Sequence, residues 1–258
     1  MKVLLIGDIV GSPGRNAIKT LLPVLQKEEA IDFVIANAEN AAGGSGVTPQ
    51  IADELFGYGI DVMTTGDHIW NRREIFEYLD KTNKILRPAN YPKGAPGFGS
   101  CVVDKKSAKI GVINLAGRVF MDSIECPFRA VREEIENVNK TTKIIFVDIH
   151  AEATSEKIAL GWYLDGVVSC VFGTHTHIQT ADERILPKST AYITDLGMTG
   201  PYDSVIGRRV DQILTRFITQ LPTRFEMAEE NVMLAGAVVD IDEKSGRARS
   251  IKRIQKRL

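Results

Sequence analysis

The sequence predicts an α/β protein built on a mixed β-sheet, on three observations. Short apolar runs rich in β-branched residues alternate with helix-like stretches along the first two-thirds of the chain, the pattern of strands joined by helical crossovers. After about residue 187 that alternation gives way to strand-like runs. Two of these late runs flank Asp242-Glu243-Lys244-Ser245-Gly246, a polar turn of the kind that joins antiparallel strands.

The elements follow in chain order. Residues 3–6 form the first apolar run, and Ser12-Pro13 then places a capping hydroxyl before a proline suited to a first helical turn. Residues 33–36 form the second run, and Thr48-Pro49 repeats the helix-start signal. Runs at 60–64, 110–115, 144–149 and 167–172 have strand length and β-branched content. Thr154-Ser155-Glu156 ahead of 157–164 opens another helix. Residues 191–194, 232–241 and 250–254 complete the strands. No repeat, low-complexity stretch or linker interrupts the chain, so residues 1–258 are expected to form a single domain.

Composition narrows the function class. With 44% hydrophobic and 25% charged residues among 258, the chain can bury a large core. A formal net charge of −1 supplies no general pull toward nucleic acid or acidic membrane, and no sequence-specific DNA binding is expected. No apolar run approaches the ~20 residues needed to span a bilayer. The chain opens directly on a strand-like segment with no signal-peptide cleavage region. Cys101, Cys126 and Cys170 are far apart and odd in number, as expected of reduced thiols in a cytoplasmic protein. A homo-oligomer is expected, since symmetric assembly is common among soluble enzymes.

The chemistry lies at the ends of the predicted strands. The four histidines, His68, His150, His175 and His177, each fall at or just past such an end. Asp8, Glu39-Asn40 and Asp67 do the same, so five segments deliver polar ligands to one rim, where α/β sheets bind ligands. A lone histidine after a strand is usually structural. His175-Thr176-His177 differs, because alternation along an extended segment would aim both rings one way and turn Thr176 aside. Imidazole with carboxylate and amide oxygen favours iron, manganese or zinc over magnesium or calcium. Asp8, Glu39, Asn40, Asp67, His150, His175 and His177 are too many ligands for one tetrahedral ion. Two metals are therefore expected, with Glu39 as the bridging carboxylate.

Gly7-Asp8, Asn37-Ala38-Glu39-Asn40, Gly66-Asp67-His68, Asp148-Ile149-His150 and Gly173-Thr174-His175-Thr176-His177 occur in the order of the calcineurin-like metallophosphoesterase motifs, and the sequence resembles that superfamily nearly end to end. Three longer strings resemble its YmdB-like branch of 2′,3′-cyclic-nucleotide phosphodiesterases. They are Gly7-Asp8-Ile9-Val10-Gly11-Ser12-Pro13-Gly14-Arg15, His150-Ala151-Glu152-Ala153-Thr154-Ser155-Glu156-Lys157 and Thr194-Asp195-Leu196-Gly197-Met198-Thr199-Gly200-Pro201. The resemblance implies mixed sheets packed as a sandwich with helices on the outer faces, in αββα layers. It implies two metal ions per chain, expected to be iron, with manganese or zinc as alternatives. One would take Asp8, Asn40 and His177 and the other Asp67, His150 and His175, with Glu39 between them and His68 as proton donor. The substrate it implies is a small cyclic nucleotide; an RNA-end phosphate is equally compatible with the chemistry.

Two positions depart from the superfamily pattern. Val10 stands where the first motif usually has histidine, and the resemblance to the YmdB-like branch implies that Asn40 supplies the missing ligand. Asp67 stands where the third motif usually has asparagine, adding a negative charge. The implied mechanism is attack by a water whose pKa two cations lower, with His68 protonating the leaving ribose oxygen.

Rival readings are weaker. Gly7, Gly11 and Gly14 lack the dinucleotide-binding spacing, and Asp8 would face any pyrophosphate. Cys126 and Arg132 have cysteine-phosphatase spacing, but no glycine lies between them and the segment reads as a helix start. Gly43-Gly44-Ser45-Gly46 has no following Lys-Ser/Thr and reads as a turn at the rim of the site. Arg15, Arg118 and Arg129 are each either phosphate contacts or solvated surface residues. The functional alternatives are a non-catalytic metal or nucleotide sensor and a phosphomonoesterase on the same site.

Overall fold

The N-terminal run is apolar on both of its faces, and the computed structural model of the protein shows what covers each one. It describes residues 1–105 and 108–258. Successive strand side chains point to opposite faces. Val3 and Leu5 accordingly enter one buried cluster and Leu4 and Ile6 another.

The strands are β1 (Lys2–Ile6), β2 (Asp8–Ile9), β3 (Phe33–Asn37), β4 (Val62–Thr64), β5 (Ser100–Lys105), β6 (Ala108–Ala116) and β7 (Ile145–His150). They continue as β8 (Cys170–Thr174), β9 (Arg184–Ile185), β10 (Ala191–Ile193), β11 (Met198–Pro201), β12 (Val232–Ile241) and β13 (Ala248–Arg257). Two sheets result, ordered β2-β11-β12-β1-β3-β4, with β13 on β12, and β5-β6-β7-β8-β10-β9. Both are mixed. In the first, β1, β3 and β4 run parallel while β12 is antiparallel to β1, β11 and β13. In the second, β6, β7, β8 and β10 run parallel, with β5 and β9 as antiparallel edges.

The helices are α1 (Gly11–Glu28), α2 (Pro49–Gly57), α3 (Phe76–Leu79), α4 (Pro127–Val138), α5 (Thr154–Tyr163) and α6 (Val210–Thr219). Ile18, Leu22 and Leu25 of α1 and Leu55 of α2 cover the outer face of the first sheet at Leu4, Ile6 and Val34. Val131 and Ile135 of α4 and Leu160 of α5 cover the second at Ile113, Val147 and Ile149. Between the sheets, Leu5, Phe33 and Val239 meet Val112, Phe146 and Phe172. This is the αββα sandwich that the sequence leads one to expect. No described helix is long and apolar enough to cross a membrane.

Local differences have local causes. Ser12 is not a cap: α1 begins at Gly11, with Val10 at the capping position and no side-chain capping bond. Thr48 does cap α2, its hydroxyl accepting the Ile51 N–H at 3.3 Å. Thr48→Ala should therefore cost about 1 kcal/mol. Thermal denaturation should show a melting temperature lower by roughly 2–4 °C, and an unchanged value would show that the cap contributes nothing. The run expected at 167–172 starts as a strand only at Cys170. Strands β2, β5, β9 and β11 and helices α3 and α6 have no counterpart in the sequence reading. At two to six residues these strands are too short to carry a pattern of their own; β2 and β11 pair across the length of the chain, whereas β5 and β9 pair with the strands that follow them.

Candidate metal centre

Residues at the C-terminal ends of β3, β4, β7 and β8, together with Asp8 in β2, converge on one cluster. Asp8 is fully buried on the short strand held by β11 through Met198. One of its carboxylate oxygens accepts the His175 N–H at 3.1 Å, and the other, Oδ1, accepts nothing. Glu39 and Asn40 follow β3 and are buried. The Asn37 side-chain oxygen accepts the Glu39 N–H at 3.1 Å and so fixes the turn. Asn40 Nδ2 lies 2.9 Å from Glu39 Oε1 and 3.1 Å from His177 Nε2.

Asp67 and His68 open the 3₁₀ turn Asp67–Asn71 just beyond β4. Gly66 before them is sterically required: a Cβ there would lie 2.1 Å from His150 Cδ2 and 2.3 Å from Glu39 Oε2. Asp67 Oδ1 is buried without a hydrogen bond, 3.3 Å from His150 Nε2 and 3.7 Å from His175 Nδ1. His68 donates its backbone N–H to Glu39 Oε2 at 3.3 Å, and its Nδ1 lies 2.8 Å from Asn40 Oδ1.

His150 is the last residue of β7 and fully buried. The Thr174 hydroxyl gives its proton to Asp148 Oδ1 at 2.8 Å, so toward His150 Nδ1, 2.9 Å away, it can only accept. This makes Nδ1 the donor to Thr174 and turns Nε2 toward Glu39 Oε2 at 3.1 Å and His175 Nδ1 at 3.0 Å. His177 is oriented in the same manner, its Nδ1 donating to the Ile206 carbonyl at 3.0 Å while Nε2 faces Asn40 and Asp8.

The route by which His175 and His177 arrive corrects the sequence reading. Strand β8 stops at Thr174, and both histidines adopt left-handed backbone angles, φ 101° and 65°. Strand alternation therefore does not align the two rings. A buried clamp holds the turn instead: Thr176 gives both its N–H and its hydroxyl to Asp195 Oδ2, which also pairs with Lys157 at 2.7 Å. The Thr176 hydroxyl is turned to Asp195, but the residue still lines the same cavity as the two histidines.

Charge in the cluster is strongly shared. Burial raises the Asp8 carboxyl above the usual range. Burial also opposes ionised Glu39, but the His150 charge and hydrogen bonds from His150 and His68 hold it well below. His150 is depressed by burial, and more than compensated by Glu39, so it is raised well above its ordinary value. Burial next to His150 takes His175 down to about 4, whereas hydrogen bonding to Glu39 raises His68. Such an acid–imidazole cluster exchanges protons for a cation.

The donor set fits metal. Ligand atoms of Glu39, Asp67, His150 and His175 all lie within 4.8 Å of one another. Asp8, Asn40 and His177 form the adjoining group, beside Glu39. Two buried carboxylate oxygens without hydrogen bonds, on Asp8 and Asp67, are costly unless a cation meets them. All seven ligand candidates and His68 thus share one location. Glu39, Asn40, His68, His175 and His177 line a cavity of about 380 Å³ with Arg208.

The sequence reading missed the supports. Thr64 donates to Asp148 Oδ2, and Asn37 Nδ2 reaches the same oxygen at 3.3 Å. Burial pushes Asp148 up to about 7. Asp148 stands two residues before His150 on the same strand face, which a period of two could have revealed. Lys157 and Asp195, 38 residues apart, left no local signal. Arg15 holds the Ala41 carbonyl at 2.6 Å from outside the cavity, and neither Arg118 nor Arg129 lines it.

The YmdB-like protein family matches residues 4–254. The chain is 50% identical over 254 residues to the 2′,3′-cyclic-nucleotide 2′-phosphodiesterase of Bacillus subtilis (strain 168), covering 98% of this chain and 96% of that protein. A phosphatase structure from Mycoplasma pneumoniae superposes with TM-score 0.93 at 34% identity, covering 100% of this chain and 93% of that one. The 5′-nucleotidase of Candida albicans SC5314 shares the fold alone, with TM-score 0.59 at 12% identity over 98% of this chain and 50% of that one.

Proposed function

The chain belongs to the YmdB-like protein family, and on that premise we propose that it is a metal-dependent phosphodiesterase that opens 2′,3′-cyclic nucleotides. The observation that carries this reading is the 50% identity, end to end, with a 2′,3′-cyclic-nucleotide 2′-phosphodiesterase. The donor geometry supports it. Asp8, Asn40 and His177 would hold one cation and Asp67, His150 and His175 the other, with Glu39 placed between the two groups. Iron is the proposed metal, with manganese or zinc as alternatives, since imidazole and carboxylate accept all three.

Bound there, two cations lower the pKa of a water and offset the charge of an anionic phosphodiester. The chain's own residues do the rest. Thr174 and Ile206 fix which imidazole nitrogens face the centre. His68 lines the cavity, and its hydrogen bond to Glu39 raises it above its ordinary value, the direction a proton donor needs. It protonates the ribose 2′ oxygen as the P–O2′ bond breaks and the attacking water adds to phosphorus. Cys101, Cys126 and Cys170 are all free, in keeping with a cytoplasmic enzyme.

The test is hydrolysis of 2′,3′-cyclic AMP by freshly purified protein, with metals counted by elemental analysis of the same sample. Turnover with about two metals per chain is the expected result. Metal without turnover on any phosphoester would favour a sensor, and no metal after reconstitution with iron and manganese would overturn the site itself. A phosphomonoesterase is the second reading, favoured by the phosphatase structure at 34% identity. A panel of cyclic diesters, monoesters and phosphopeptides separates the two.

A further inference from the structure

Among the described side chains lining the cavity at the metal centre, Arg208 is the one permanent cation. Its backbone position is well determined. Arg208 and Val205 exchange hydrogen bonds at 3.0 and 2.9 Å, and Arg208 bridges to Met227. Two residues earlier, the Ile206 carbonyl orients His177. The guanidinium is half-buried and lies against the loop that follows Glu39 and Asn40, donating to the Gly44 carbonyl at 2.8 Å and the Gly43 carbonyl at 3.3 Å.

Both of these oxygens are neutral acceptors. Among the described residues, no carboxylate forms an ion pair with Arg208, so its charge is uncompensated where burial already disfavours it. A guanidinium carries five N–H groups, and the contacts of Arg208 with Gly43, Gly44 and Met227 Sδ do not use them all. The loop is shaped to receive it. Gly44 has φ +82°, and a Cβ there would lie 2.8 Å from Arg208 Cζ.

Pinning the loop does not by itself account for this charge. Arg72 grips the same loop from the other side, donating to Ala42 O at 3.0 Å and Ser45 O at 3.2 Å, yet it is exposed and does not line the cavity. We propose that Arg208 binds the non-bridging phosphoryl oxygens of the substrate, giving the cavity its preference for a phosphate ester. This rests on the phosphodiesterase reading above. Planar, forked donors suit phosphate oxygens, and a charge-assisted bond of this kind is stronger than a neutral one.

The test titrates inorganic phosphate into metal-loaded protein and measures KM and kcat for 2′,3′-cyclic AMP in Arg208→Gln, Arg208→Lys and Arg72→Gln. Arg208→Gln is expected to weaken phosphate binding and raise KM by about 10- to 100-fold, with metal content unchanged. Arg208→Lys, which keeps the charge but lacks the planar fork, should lose less phosphate affinity than Arg208→Gln without reaching wild type. Arg72→Gln should leave both constants as they are. Unchanged phosphate affinity in Arg208→Gln would overturn the proposal. So would equal losses in Arg208→Gln, Arg208→Lys and Arg72→Gln, which would mean that loop pinning is what matters. If wild-type protein fails to open any cyclic nucleotide, the proposed function falls, while the phosphate titration still decides the role of Arg208.

Discussion

Glu39→Gln should empty both metal positions together and abolish turnover. Glu39 is buried, its Oε2 lies 3.1 Å from His150 Nε2 in one ligand group, and its Oε1 lies 2.9 Å from Asn40 in the other. Replacing the carboxylate by an amide removes the negative charge and leaves one oxygen where two served. Changes to residues that only support a ligand cost roughly 10–100-fold in metal affinity; loss of a shared ligand should cost at least that at each position. Elemental analysis read against wild type, with thermal denaturation to show that the variant folds, decides the matter. Two metals retained per chain with unimpaired turnover would remove Glu39 from the bridging role. Loss of one metal alone would place it in a single position.

His68→Ala should keep its metals and lose about 10²–10⁴ in kcat on 2′,3′-cyclic AMP, the typical contribution of a positioned general acid. Its ring lines the cavity instead of lying among the four clustered donors, so its removal leaves those donors intact. The choice of substrate makes the test specific. A proton donor matters when the leaving group is a poorly stabilised alkoxide and little when it departs as a stable anion. The variant should therefore be far less impaired on bis(p-nitrophenyl) phosphate than on the cyclic nucleotide. Equal losses on both substrates would point to a positioning role, and undiminished turnover would exclude His68 from the mechanism. Its Nδ1 contact with Asn40 is a second route to an effect, so metal content must be measured on the same sample.

The fold was legible where strands are long and apolar. β1, β3, β6, β7 and β12 lie close to their expected positions because each buries residues on both faces and so carries a strong pattern of its own. β2 and β11 were not legible. They define each other through the pairing of Asp8 with Met198, 190 residues away, and Asp8 owes its place to that pairing. The sequence reading placed the His-x-His pair in the site but on an extended strand, because the Asp195 clamp on Thr176 was invisible to it.

By itself, the sequence determined which chemical groups stand at the ends of the strands: four histidines, three acids and an amide, in the order of a known family. These are local properties, since residue type and strand period are both set by near neighbours along the chain. Only the tertiary structure decided how the groups act. Ile206 chooses the free nitrogen of His177, Thr174 and Asp148 choose that of His150, and Lys157 with Asp195 holds the turn that carries His175 and His177. Arg208 reaches the loop after Glu39 from a point 165 residues further along the chain. Hydrogen-bond direction and charge compensation depend on distance in space, and folding alone brings these remote segments to within 3 Å or so of one another.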